Sequence, residues 1–167
     1  MEVHHLDDDH AHNAMDNLVT ACPLCYQVSH MELASKQHGG ILILLPELSQ
    51  VDLNRLVHAI WLWSTHPDRY DTADMLYERL KMRAHDMEYG FGDGASNPAL
   101  VVDILHRELS DKQYERRERL FRDVRLLALP ERFTRQIEVW KATVYKTYPP
   151  QGWPLIAERL LPAGFLS

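Results

Sequence analysis

Cysteine is nearly absent: the 167 residues contain two, Cys22 and Cys25, too close in sequence to build a disulfide framework. Glycine is also scarce, with seven residues, three of them packed into Gly90, Gly92 and Gly94. That stretch follows a helical pattern instead of a strand, and no Lys-Ser/Thr pair follows it. It therefore reads as a helix break ending in an Asn97 cap, not as a phosphate loop. No apolar run approaches the ~20 residues of a membrane span, and the opening residues are charged and His-rich where an export signal would be apolar. A cytoplasmic chain is the expectation. Excess positive charge is missing too: 18 Lys and Arg face 24 Asp and Glu, for a net charge of −6. This argues against general affinity for nucleic acid, which Lys and Arg supply by displacing counterions. Arg107, Arg116, Arg117, Arg119, Arg122 and Arg125 alternate with Glu108, Glu115, Glu118 and Asp123, as on a solvated helix face.

With 46% hydrophobic residues, the chain can bury one core or carry a small finger on a helical body. Glu2 to Leu6 and Leu18 to Ala21 read as short strands, and Pro23 opens a helix to about Ser35. Gly39-Gly40 closes this unit. The apolar run Ile41 to Leu45, ended by Pro46, fits a buried strand or an extended plug. Helix starts follow at Ser49, at Asp71 or Thr72, and at Asn97-Pro98. Ser110-Asp111 caps a helix expected to run to about Leu129, Pro130 starts another to about Lys146, Pro149-Pro150 stops it, and a last short helix covers Leu155 to Leu161. Leu53, Leu56, Val57, Ile60 and Trp63 form one core stripe, and Phe133, Ile137, Trp140 and Val144 another. Trp61 and Leu62 add apolar surface on other faces, which is either buried or awaits a partner. His58, His66, His85 and His106 have no neighbour at ligand spacing and read as ordinary histidines. The expected fold is α+β, mainly α, with a finger over residues 1–38 and a helical body over 39–167.

The finger carries a pattern of its own. His4-His5, Asn17 in an Asp-Asn-Leu turn, Cys22-x-x-Cys25 and His30 follow one another at close spacing. This order resembles the ββα-metal core of HNH nucleases. The resemblance implies that His4 helps to hold a divalent metal, that His5 is the general base, a role suited to an imidazole titrating near neutrality, and that Asn17 pins the loop presenting it. Further ligands would come from His-x-x-x-His on the helix, one turn apart on one face. Here the first of these positions is Tyr26, and only His30 is left. Two imidazoles hold a metal more weakly than three, and a phenol titrating near pH 10 is a poor substitute. Asp7, Asp8 and Asp9 are hard oxygen donors that could compensate. The catalytic positions are expected to be vestigial.

Cys22 and Cys25 suit metal or redox chemistry, but a thioredoxin-like role would need a βαβ context that is missing. In many HNH proteins such a pair joins an upstream Cys-x-x-C around structural zinc, which wants four ligands. No upstream pair precedes it here. Three readings stand: the start is truncated, zinc is completed by His10, His12 or His38, or the pair binds no metal.

Beyond the finger, Gly40 to Leu56 (GILILLPELSQVDLNRL), Phe91 to Pro98 (FGDGASNP) and Phe133 to Trp140 (FTRQIEVW) resemble the IcmJ/DotN family of type IVB secretion systems. The resemblance implies an HNH-like fold serving as a coupling-complex subunit, bound to the cytoplasmic tail of the coupling ATPase at the inner-membrane face. The expected role is a non-catalytic adaptor with structural zinc, its contacts near Trp61 and Leu62 or the Leu44-Leu45-Pro46 turn. The alternative is an HNH-type, metal-dependent DNA endonuclease or nickase with an altered metal site.

Overall fold

The computed structural model describes residues 2–7, 9–66, 70–107, 119, 121–149, 151–161 and 165. Asp8, Glu108, the Ser110-Asp111 cap, Glu115 to Arg117, Glu118, Pro150, Pro162 and Gly164 lie outside them, as does the side chain of His106. The architecture is α+β, mainly α, with two separate antiparallel sheets of two strands each among the described residues.

Strands β1 (Glu2–His5) and β2 (Leu18–Ala21) pair with Glu2 opposite Ala21 and His5 opposite Leu18. Helix α1 (Pro23–Ser29) begins at once, with Pro23 in its first turn and Cys22 as the N-cap, its Sγ accepting from the Cys25 N–H at 3.5 Å. The single helix expected to Ser35 is broken at His30, whose non-helical backbone ends α1 and starts α2 (Met31–Lys36). Val28 and Ser29, both weak helix formers, precede the break.

Strand β3 (Gly40–Leu44) is buried and resolves the apolar run as a strand. Helix α3 (Gln50–Ser64) is capped by Ser49, whose Oγ accepts from the Asp52 N–H at 3.1 Å. It is buried nearly all round: Leu53, Leu56, Val57, Ala59, Ile60, Trp61, Leu62 and Trp63 are each 5% exposed or less. Trp61 and Leu62 are therefore core residues, with Trp61 packed on Phe133 and Tyr77 at ring separations of 5.5 and 6.4 Å. This corrects their assignment to a partner surface. Helix α4 (Tyr70–Phe91) ends at Gly92, whose φ of +103° suits the left-handed residue after a helix, its N–H bonding to the Glu88 carbonyl. The glycine loop then delivers Asn97, whose Oδ1 accepts from the Ala99 N–H and caps α5 (Pro98–Arg107), as the sequence predicts.

The main departure lies at residues 124–128. Where the pattern predicts a helix to Leu129, the chain forms strand β4 (Val124–Ala128), antiparallel to β3 with Leu42 opposite Leu126. Arg, Leu and Ala favour helix intrinsically, but pairing with β3 and burial of Leu126, Leu127 and Ala128 override that preference. Helix α6 (Pro130–Ala142) and helix α7 (Gly152–Leu160) complete the body, α6 ending and α7 starting a few residues before their expected positions. The β3–β4 sheet packs on α3 and α4, while α6 and α7 cover α3.

Both edges of this buried sheet are closed. The Leu42 N–H donates to the Ser96 carbonyl at 2.8 Å. On the opposite edge the Gln50 amide takes the place of a neighbouring strand: its Oε1 accepts from the Leu126 N–H at 2.8 Å and its Nε2 donates to the Leu126 carbonyl at 3.0 Å. Tyr77 Oη donates to the Ala128 carbonyl at 2.6 Å, and burial pushes its phenol far above the usual range.

Candidate functional site

The β1–β2 connection is organised by one buried amide. Asn17 Nδ2 donates to Asp7 Oδ1 and to the His12 carbonyl, each at 2.8 Å, and Asn17 Oδ1 accepts from the Asp7 N–H at 3.2 Å. Asn17 is 6% exposed, so these bonds form away from water and tie the two ends of the loop together. Asp7 also accepts from His12 Nδ1 at 2.6 Å and from the Asp9 N–H. Its carboxyl is held well below the usual range by the His12 bond first, then by Asn17 and the Asp9 N–H. The carboxylate in turn orients the His12 ring.

His5 faces Asn13. The Asn13 Nδ2 donates to the Ala11 carbonyl, so its Oδ1 is left to accept from His5 Nε2 at 3.1 Å. The other ring nitrogen, Nδ1, is enclosed and without a hydrogen-bond partner. His4 Nδ1 is also enclosed without a partner. The rings of His4 and His30 meet edge-on at 5.6 Å, His10 lies 6.0 Å from His30 and 5.0 Å from His5, and Tyr26 sits against His30 at 4.3 Å. The sequence-predicted His4, His5, Asn17, Tyr26 and His30 are thus brought to one end of the hairpin. His10 and Asn13 join them, and nothing in their spacing had singled out Asn13.

Cys22 and Cys25 occupy the first turn of α1 as free thiols. Burial pushes the Cys22 thiol upward. Asn54 Nδ2 donates to Cys25 Sγ at 3.5 Å, connecting the pair to α3. Among the described residues, no three His, Cys, Asp or Glu side chains converge as a metal requires. His12 is engaged with Asp7, His10 lies with the other imidazoles, and His38 occupies a turn with φ of +50°. Cys22 and Cys25 are two thiols in one helical turn, a pair that could hold two of the four positions structural zinc wants. On α3, one turn beyond Asn54, His58 lies against Trp140 and Tyr145 at 4.0 and 5.2 Å, and burial pulls its pKa down to about 4.

A groove of about 780 Å³ opens beside the imidazoles, between α1–α2, α5 and the β3–β4 sheet. Val28, Met31, Leu42, Val101, Leu105, Phe121 and Leu126 line it, with His10, His30 and Tyr26 at one end. It is the open flank of a second, smaller apolar cluster containing Ala34, Leu42, Met87, Val101 and Leu126. The face was not legible in advance because β4 was expected as helix.

No family model matches the chain. It is 37% identical over 145 residues to the type 4 apparatus protein DotN of Legionella pneumophila subsp. pneumophila strain Philadelphia 1, an alignment covering 85% of this chain and 67% of the relative. On that extent of identity the chain belongs to the DotN family.

Proposed function

We propose that this chain is a type IV secretion component acting as a non-catalytic adaptor, and that it binds the cytoplasmic tail of the coupling ATPase, and through it other subunits of the secretion complex, at the inner-membrane face. The DotN relative, whose name is that of a type 4 apparatus protein, motivates the setting. The observation that carries the binding role is the groove: about 780 Å³, lined mainly by apolar side chains with Glu32, Lys36, Gln50 and Arg125 among them, it accommodates the side chains of a helical or extended segment. It replaces the surface around Trp61 and the Leu44-Leu45-Pro46 turn, where Leu45 is fully buried. Calorimetry of the purified chain against the coupling-ATPase tail from the same genome should give one-to-one submicromolar binding, weakened at least tenfold by Leu105→Glu. Absence of heat from folded protein would defeat the proposal.

In the same reading, Cys22 and Cys25 contribute two thiolates to structural zinc whose other ligands come from outside the described residues. Metal analysis of chelator-free protein should find zinc that is lost in a Cys22→Ser variant.

A second reading, an HNH-type nuclease, is favoured by one feature: His5 and Asn17 stand at the same end of the hairpin, where Asn17 ties the loop between the strands. It requires magnesium-, manganese- or nickel-dependent nicking of plasmid that disappears with His5→Ala. Uncut plasmid under all three metals removes it.

A further inference from the structure

The groove is tied to the cysteine pair by a line of side-chain amides whose direction the backbone decides. At the edge of β4 the Leu126 N–H can only donate and its carbonyl can only accept, so Gln50 presents Oε1 to the first, at 2.8 Å, and Nε2 to the second, at 3.0 Å. The remaining Nε2 proton goes to Asn54 Oδ1 at 3.0 Å. That leaves Asn54 Nδ2 as the group facing Cys25, and it donates to the sulfur at 3.5 Å. Gln50 and Asn54 stand one turn apart on α3, so a single helical face carries both. Asn54 is 7% exposed, whereas Cys25 is exposed and open to reagents. Gln50 and Leu126 both line the groove, so the line runs from an accessible thiol to the partner-binding face.

The sulfur is the variable end of this line. A neutral thiol is a weak acceptor, while a thiolate held by a metal keeps lone pairs and negative charge and accepts a stronger, charge-assisted bond. When the sulfur accepts well, Asn54 is held at both ends, by Cys25 and by Gln50. When it does not, the Asn54 amide is free to turn, and Gln50 loses one of the three bonds that hold it on the strand edge.

We propose that Asn54 and Gln50 couple Cys25 to the groove: a strongly accepting sulfur, as in a metal-bound pair, keeps Gln50 on β4 and the groove in its binding shape, and loss of that acceptor loosens both. The consequence for partner binding rests on the adaptor reading, whereas the coupling itself is a property of the chain alone. Linkage makes it reciprocal, so a segment filling the groove tightens the pair's hold on metal by the same factor. Helix α1 offers a rival route, since Tyr26, next to Cys25, also lines the groove. Asn54 variants separate the two.

The test compares the full chain loaded with zinc and stripped by chelator. A Cys22→Ser chain, which retains an N-cap oxygen, is compared before and after capping of Cys25 by iodoacetamide. Hydrogen exchange at the Leu126 amide, resolved by NMR, reports the far end of the line. It should slow about fivefold or more on zinc loading and quicken by a similar factor on capping, while amides of α4 stay constant. Asn54→Asp keeps the oxygen that Gln50 needs but puts a second oxygen where the N–H faced sulfur. Leu126 should then ignore both treatments, and zinc should bind about tenfold or more weakly. Asn54→Ala, which removes both ends, should show the same indifference with faster Leu126 exchange throughout. By calorimetry the coupling-ATPase tail should bind the zinc-loaded chain about fivefold tighter than the stripped one, and Asn54→Asp should erase that difference. A Leu126 amide indifferent to zinc and to capping would overturn the proposal. So would a response that survives in Asn54→Asp, which would assign the effect to α1. No tail binding with Leu126 still responding would remove the adaptor reading and leave the coupling standing, and equal tail binding by loaded and stripped chain would do the reverse. If the chain takes up no zinc, the structural-zinc reading fails and the capped chain decides the coupling.

Discussion

The molecule contains two antiparallel strand pairs of similar size that are stabilised by opposite means. The β3–β4 pair is buried on its faces by Leu42, Ile43, Leu126 and Leu127, and its edges are capped by the Ser96 carbonyl on β3 and by Gln50 and Tyr77 on β4. The β1–β2 pair exposes Val3 and Val19 and relies on a polar network centred on Asn17. Burial stabilises roughly in proportion to area, whereas a hydrogen-bond network is worth about 1 kcal/mol per bond and fails as a unit. A strand pair of the second kind tolerates surface change but depends on a few polar residues. That suits a region presenting imidazoles and thiols at the surface.

Substitutions can test this contrast. Trp61→Glu in the body should have the largest effect: a charge placed in a 3%-exposed site against Phe133 should cost more than about 4 kcal/mol and abolish the cooperative melt followed by circular dichroism. A selective loss of partner binding with the melt intact would contradict its core role. Next comes the pH dependence set by His58. Its folded pKa of about 4 lies below the ordinary 6.5, so the unfolded chain binds more protons between those values. Stability is then full above pH 6.5 and declines by about 2 to 3 kcal/mol as pH falls to 4. Denaturation midpoints across that range should flatten in His58→Phe. Asp7 behaves differently: its depressed pKa removes stability only below about 3.8, so the two contributions separate along the pH axis.

Asn17→Ala should be milder and local, about 1 to 2 kcal/mol, with faster hydrogen exchange at Asp7 and its loop neighbours while body amides stay protected. The smallest effect is expected for Val3→Thr. Because Val3 is 54% exposed, the melt should move by no more than about 0.5 kcal/mol of stability, and a larger loss would mean that Val3 is packed within the chain after all.

The contrast also explains how much could be read in advance. Caps are local chemistry, so Ser49, Asn97, Pro23 and Pro130 located helix starts within a residue or two. Residues 124–128 failed because their state depends on a partner strand about eighty positions away. A signal was nonetheless present: Ile41 to Leu45 and Leu126 to Leu129 are both short apolar runs ended by proline, which fits paired buried strands better than one strand and one helix tail. At the hairpin, His4, His5, Asn17 and His30 were legible through the order of their chemistry. Gln27, Gln50 and Asn54 were not, because a buried or half-buried amide is indistinguishable in sequence from a surface one until its surroundings are known.

The pairing of β3 with β4 also constrains how the chain acquires its shape. Residues 40–44 must wait for residues 124–128 before either can satisfy its backbone, and Gln50, already set in α3, waits at the far edge for the same strand. During synthesis, which proceeds from the first residue onward, α3 and its tryptophans are made long before the strand that covers them. Native closure is thus a late event dominated by distant contacts, which slows folding, and a nascent chain halted before Val124 would hold Leu42, Ile43 and the α3 core open to chaperones or to aggregation.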